Sequence, residues 1–447
     1  MTSLQREALH PAPLGWVATA LVCILAVISA VFAGMQPFAV SLASVGAGTL
    51  CIFGGCWAIS NGAAFAVPRR LVWPAVLFGV LLLWGLFQTL PFCPSGISVL
   101  DARQDAFGQA ARQIAIAVDP FKARQALSWL CLYAVFFGAG LACGASRRAC
   151  RRLVHGFLLL QALLGALALL VVFSPALGSV FQAYGDGRLS ASFPSANDYA
   201  AFVGMGLCVC TACAMSPGQR YFGFVVCAVS LLALLIATGA RGATACALIG
   251  VGVIIASALP VSLSKRRRAT VIAAIVLSVL LIEAVSIALR GTPAETAKAL
   301  AARWDLTELA WRLVLGEPWL GIGFGGFADV APAYVDAAQV STRMLPHAHN
   351  GYLAAVIALG IPCASAFFVL LASLAVMASK PACARRSSII SAACLGMSVQ
   401  LFLLSWVNVP LGVPAITIAW LVFLGAGVSH ALQGQPPRVA EPSLAGG

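Results

Sequence analysis

The sequence predicts an all-α, polytopic membrane protein of about twelve transmembrane helices, and three observations carry that reading. Of the 447 residues, 61% are apolar and only 9% charged, a balance no water-soluble domain of this length tolerates. Apolar runs of about 20 residues, the length that crosses about 30 Å of hydrocarbon at 1.5 Å per residue, recur along the whole chain. These runs lack the apolar/polar alternation of barrel strands. Lipid offers unpaired backbone groups no partner, so helices are the spanning elements.

The runs fall at roughly 14–33, 36–57, 71–90, 125–145, 153–173, 197–215, 221–239, 243–262, 270–288, 351–378, 388–407 and 410–429. The first is read as a retained anchor, because its apolar stretch is too long for a signal-peptide core and Arg6 is a weak preceding charge. The formal charge of +13 is distributed by side of the membrane. Arg69-Arg70, Arg147-Arg148 with Arg151-Arg152, Arg220, Lys265 to Arg268, and Lys380 with Arg385-Arg386 all stand in loops without Asp or Glu. Each of these loops follows an even-numbered run, so the excess of positive charge places them, and both termini, in the cytoplasm. The basic residues therefore report orientation, and nucleic acid is excluded as a partner. The fifteen cysteines lie almost wholly inside apolar runs, as Cys208, Cys210 and Cys213 do, where they act as small hydrophobes. Cys93 stands alone in an outward loop, so no disulfide framework is implied.

One transmembrane domain over 1–432 is the simplest division, followed by a polar cytoplasmic tail over 433–447. Nearly every internal acid belongs to three outward loops. The first, about 91–123, holds an amphipathic stretch around Asp101 to Ile116, and the second, about 174–196, leads into a span through Arg188 to Asn197. The third, 289–349, is the largest and nearly balanced in charge, which predicts a small folded subdomain. Within it a helix is readable from Ala294 to Leu315, with Leu300, Trp304, Leu309 and Leu313 near helical spacing and a stop at Gly316 and Pro318. This helix is predicted to lie along the membrane surface.

The same parity brings Arg188, Arg241 and the pair His347 and His349 to the outer interface from three distant stretches. Arg241 stands in a turn so short that its guanidinium is held at the membrane surface. Planar guanidinium forks suit an anionic lipid headgroup, and a lipid pyrophosphate fits well. Snorkelling to headgroups is the competing reading. The stretch Pro346-His-Ala-His-Asn-Gly351 lies where an outward loop enters a span, with Asn350 placed as an N-cap. A histidine half in water there can take a proton from a hydroxyl at neutral pH. A metal half-site and plain capping compete with that reading. No metal is assigned, because isolated Cys93 is the one further soft ligand in the outward loops. Gly321-Ile-Gly-Phe-Gly-Gly326 follows no strand and is read as a flexible or close-packed turn rather than a nucleotide loop. Glu283, two turns from Arg290 inside an apolar run, is either a functional intramembrane group or half of a structural pair.

Three stretches resemble the O-antigen ligase and polymerase family of bacterial surface-polysaccharide enzymes. They are Arg188-Leu-Ser-Ala-Ser-Phe-Pro-Ser-Ala-Asn197-Asp-Tyr, Thr238-Gly-Ala-Arg241-Gly-Ala, and Arg303-Trp304 through Pro318-Trp-Leu-Gly-Ile-Gly-Phe-Gly-Gly-Phe327 to His347-Ala-His-Asn350. Together they cover roughly 185–365. The resemblance implies a C-type glycosyltransferase-like fold and transfer of an oligosaccharide from undecaprenyl pyrophosphate to an acceptor sugar hydroxyl on the periplasmic face of the inner membrane. The acceptor implied is lipid A core or a growing glycan. It also implies that Arg188 and Arg241 bind the pyrophosphate, that His349 is the base, and that His347, Asn350, Arg303, Arg312 and Asn197 contact substrate. Ala191 and Ala240 depart from the family pattern, which has Gly and Ser there in many relatives.

Chemistry agrees with that implication without any cofactor. A lipid pyrophosphate clamped by two arginines leaves as a stabilised anion, and a base relieves the attacking hydroxyl of its proton. A single backside displacement inverts the anomeric centre. A transporter or flippase of lipid-linked sugar and a protein O-oligosaccharyltransferase are the alternatives, although a transporter would need charge near the midplane.

Overall fold

The computed structural model describes residues 12–30, 41, 43–51, 68–91, 115–174, 188–216, 221–259, 293–334, 348–383 and 388–433, with residues 266, 270, 273 and 277. Among them the regular structure is helical throughout. The helices are α1 (Ala12–Ala30), α2 (Val72–Gln88), α3 (Pro120–Gly144), α4 (Arg147–Phe173), α5 (Ala196–Ala214) and α6 (Tyr221–Ala237). They continue with α7 (Arg241–Ala258), α8 (Pro293–Gly316), the single turn α9 (Phe327–Val330), α10 (Gly351–Cys383), α11 (Ile389–Leu404) and α12 (Pro414–Gln433). By length and composition seven described helices can cross a membrane, and α1, α6 and α11 are shorter apolar helices. These ten fall on ten of the runs read from the sequence. Of the other two runs, 36–57 is described at 41 and 43–51, where it is helical, and 270–288 only at 270, 273 and 277; Glu283 and Arg290 lie outside the described residues.

Several helices start where the sequence supplies a cap. Ser146, Ser195 and Ser388 each accept a backbone N–H of the first turn with their hydroxyl. At α3 the carboxylate of Asp119 accepts from Phe121 N and Lys122 N, with Pro120 at the first helical position. Burial pushes the Asp119 carboxyl up, but the Lys122 N–H and ammonium outweigh burial and hold it below its ordinary value. A depressed carboxyl stabilises above its unfolded pKa of 3.8 and loses that contribution as pH falls through the lower folded value. Asp119→Ala is therefore expected to cost about 1 kcal/mol at neutral pH. Thermal unfolding in detergent should show the wild-type advantage shrinking once the pH drops below 3.8.

The bundle is centred on α12, whose Trp420, Phe423 and Leu424 are fully buried or nearly so. It approaches α3 closely enough that a Cβ at Gly140 would strike the Val422 carbonyl and one at Gly425 the Phe137 carbonyl. Gly140 and Gly144, four apart on α3, form the small-residue face that lets two backbones meet in lipid. On the other side of the core, α5 is gripped by two glutamines. Gln161 Nε2 donates to Phe202 O at 2.8 Å and Gln400 Nε2 to Ala201 O at 2.8 Å.

The feature that shapes the site is a break in α10. Gly360 has φ 75° and ψ 161°, which no helix contains. The ring of Tyr352 lies 5.1 Å from that of Phe368. Sixteen residues of straight helix would separate them by about 24 Å, so Gly351–Leu359 folds back on the segment after Gly360. Carbonyls freed by the break are taken up by other segments. Ile357 O and Ala358 O accept Ile322 N and Gly323 N at 2.9 and 3.0 Å, Leu359 O accepts Trp84 Nε1 at 2.9 Å, and Gln88 Nε2 bridges Leu320 O and Ala358 O. The Gly321 to Gly326 stretch is thus a close-packed turn, one of the two forms read from the sequence, with positive φ at Gly321, Gly323 and Gly325.

Around this brace lies a second apolar cluster, with Leu309, Ala310, Leu313 and Val314 of α8 against Ile322, Phe327, Val330 and Ile357. The helix expected from Ala294 to Leu315 is observed, and its apolar residues divide between two faces. Trp304 is 73% exposed. Five residues separate it from Leu309, about 140° around the helix, so the two cannot share a packed face.

Candidate functional site

A cavity of 1290 Å³ opens between α2, α3, α10 and α12. Its long walls are apolar, with Phe78 and Leu81 on α2, Trp129 and Phe137 on α3, Phe367 on α10 and Trp420 on α12. On α3 alone the wall runs from Ala126 to Leu141, about 22 Å at 1.5 Å per residue. The polar groups gather at one end: Arg188, Ser195, Asn197, Asp198, His349 and Asn408. Gly323 and Phe324 of the glycine turn complete that part of the wall.

His349 is held in an unusual backbone conformation. Its φ is +49°, in the left-handed region that costs a non-glycine residue about 1 kcal/mol or more. Neighbours on both sides impose it. Ala348 is fully buried, Asn350 Oδ1 accepts Tyr352 N at 3.0 Å and Leu353 N at 3.1 Å, and Gly351 N donates to Ser405 O at 2.7 Å and Asn408 O at 3.0 Å. Asn350 is therefore the cap expected from the sequence, used up in fixing the residue before it.

Arg188 lies in the cavity wall, and its Nη1 donates to Gly239 O at 3.5 Å, a long contact that sets it beside the turn opening α7. Arg241 is the first residue of α7 and half-buried, next to that turn though not part of the wall. The structure thus brings Arg188, Asn197 and His349 to one chamber and the Arg241 turn against Arg188. Arg303 and Arg312 are not brought there: both sit exposed on α8, and Arg312 pairs with Glu308 at 2.6 Å. His347 lies outside the described residues.

Both departures from the family pattern have a physical reading. Ala191 has φ +49°, so the position favours glycine, and the alanine here carries the strain of a left-handed backbone. Ala240 is the N-cap of α7 and has no side chain to offer, while Thr238 Oγ1 accepts its N–H at 3.2 Å. Ala240→Ser should supply the missing cap and raise stability by about 1 kcal/mol, read as a higher melting temperature.

Two residues at the polar end had no role in the sequence reading. Asp198 accepts Ser195 Oγ at 2.6 Å and Asn408 Nδ2 at 3.1 Å. Ser195-Ala-Asn-Asp198 has the spacing of a capping box, a signal that could have found it. Asn408 follows an apolar run, and nothing in its local sequence marks it.

Residues 226–368 match the O-antigen ligase family. Over that stretch the chain is similar to O-antigen ligases. The match extends from α6 into α10 and takes in Arg241, Arg303, Arg312 and His349, whereas Arg188, Asn197, Asp198 and Asn408 stand outside it. No curated protein matches the chain. That likeness points to a glycosyltransferase-type membrane enzyme. A long apolar cavity with arginine and histidine side chains in its wall suits that class.

Proposed function

We propose that the protein transfers an oligosaccharide from undecaprenyl pyrophosphate to a sugar hydroxyl at the periplasmic face of the bacterial inner membrane, within a C-type glycosyltransferase-like fold. The observation that carries the proposal is the cavity: an apolar length suited to a polyprenyl chain ends at Arg188 and the strained His349. Arg188 and Arg241 hold the pyrophosphate, and Asn197 contacts the headgroup or first sugar. The acceptor oxygen attacks the anomeric carbon as the bond to the pyrophosphate oxygen breaks. The pyrophosphate leaves with the electron pair, and the hydroxyl proton passes to His349. The displacement is single and inverting, and it uses no metal or cofactor.

The basic loops support an orientation with both termini in the cytoplasm and the polar end of the cavity outside. Trp304, Trp311 and Leu315 form an exposed stripe on α8 that rests on the outer leaflet. The test is a purified enzyme given lipid-linked donor and acceptor glycan, with EDTA throughout. A new glycosidic bond and released undecaprenyl pyrophosphate are expected. Proteoliposomes that move lipid-linked sugar across the bilayer but form no bond would make the protein a transporter. Abolition by EDTA would return the two histidines to a metal site. Lipid A core, a lipid-linked repeat and a polypeptide, offered in parallel as acceptors, separate ligase, polymerase and protein-glycosylating activity.

A further inference from the structure

The stretch bearing Arg188 and the stretch bearing His349 are far apart in sequence, yet the proposed reaction needs them in fixed register. The hydrogen bonds at the polar end trace what joins them. Ser195 caps α5 and donates its hydroxyl to Asp198 Oδ2, while Asp198 Oδ1 accepts Asn408 Nδ2 at 3.1 Å. Asn408 belongs to the turn after α11, whose Ser405 and Asn408 carbonyls both accept the N–H of Gly351. Gly351 follows Asn350, whose side chain caps the helix directly after His349. Asp198 and Asn408 are each only 8% exposed, so this bond is made where water competes little. Space at Gly351 is limited as well, since a Cβ there would come within 3.3 Å of Asn408 O and of the Ser405 side chain.

From these contacts we infer that Asp198 and Asn408 form a tether that positions His349 against the donor site, acting through the Gly351 clamp rather than on substrate. The inference rests on the proposed role of His349 as base. It concerns the hydrogen bond rather than the negative charge, because what must be transmitted is the place of the Asn408 turn. Asp198→Asn can keep the bond, with its Oδ1 accepting from Asn408 and its amide facing Ser195 Oγ. Asn408→Asp cannot, because two carboxylates then face each other. The two substitutions together restore one donor and one acceptor in exchanged positions.

Turnover and donor KM are measured on Asp198→Asn, Asn408→Asp, the exchanged pair and His349→Ala, each purified as a monodisperse full-length protein. Asn408→Asp is expected to lower kcat about tenfold or more with donor KM within about twofold, since a misplaced base is felt in the transition state and not in ground-state binding. Asp198→Asn and the exchanged pair are expected within about threefold of wild type, the pair because its partners are coupled. If Asn408→Asp does not reach the membrane, Asn408→Ser, which shortens the donor's reach, is read in its place. An unchanged kcat in the Asn408 variant, or an exchanged pair no better than Asn408→Asp, overturns the tether. So does a rise in KM alone, or an Asp198→Asn as damaged as Asn408→Asp, which would assign the work to the charge. Robust turnover by His349→Ala would instead remove the base assignment, whatever the Asn408 variants do.

Discussion

His349→Ala should lose roughly 10² to 10⁴ in kcat while still binding the lipid-linked donor, the range expected when a general base is removed. The site predicts that split. His349 shares its chamber with Arg188 and Asn197 but stands on a different segment, so truncating its ring leaves the cationic groups and the apolar walls in place. Its left-handed backbone is imposed by a buried alanine before it and by the Asn350 cap and Gly351 clamp after it, none of which uses the imidazole. Folding should therefore be nearly unaffected, and a strained residue held so firmly at a cavity wall is where pre-organisation is expected. Single-turnover transfer with labelled donor, alongside donor binding measured at equilibrium, reads the two quantities separately. Loss of donor binding equal to the loss of turnover would make His349 a binding residue. Turnover near wild type would remove it from the chemistry.

The spans were legible because lipid imposes one solution on a run of apolar residues, whereas apolar runs beginning at 125 and 153 missed the polar first turns that Asp119 and Ser146 cap. The break at Gly360 was missed too. Gly360 followed by Pro362, which has no N–H for the Ala358 carbonyl, was a local signal, but apolar residues continue through it, so 351–378 reads as one span. What stabilises the break comes from elsewhere in the chain: Trp84 and Gln88 on α2 and the amides of Ile322 and Gly323. Local pattern carries no record of such distant partners.

The candidate site divides in the same way. Residue type and charge parity singled out Arg188 and His349, and the family motif added Asn197; all three line the cavity. Arg303 and Arg312 came from the family motif, and the structure shows them on the exposed side of α8, where Arg312 already has Glu308. Asp198 had a local capping-box signal that went unused, while Asn408 had none, since its pairing with Asp198 spans 210 residues. Ala191 was visible as a departure, but its meaning needed the backbone angle.

Replacing the proposed pyrophosphate ligands with lysine should be nearly as damaging as losing the base. Lysine keeps the charge but not the planar fork, so it becomes a point donor where two parallel hydrogen bonds to phosphate oxygens are needed. Arg188→Lys and Arg241→Lys are each expected to lower kcat/KM by about tenfold to a thousandfold, the scale seen when one donor to a developing anion is lost. Arg188 lines the cavity directly, and its contact with Gly239 O ties it to the turn that presents Arg241, so the two should act as a unit. The double variant should then fall well short of the product of the single losses, because neighbours sharing one ligand are not additive. Arg266→Lys, exposed and in a basic stretch that the sequence parity assigns to the opposite membrane face, provides the comparison and should match wild type. Steady-state transfer at matched membrane levels, with the lipid-linked donor varied, gives all five values. Full activity in Arg241→Lys would reduce Arg241 to an anchor at the membrane surface, and strict multiplicativity in the double variant would mean that the two arginines hold different parts of the substrate.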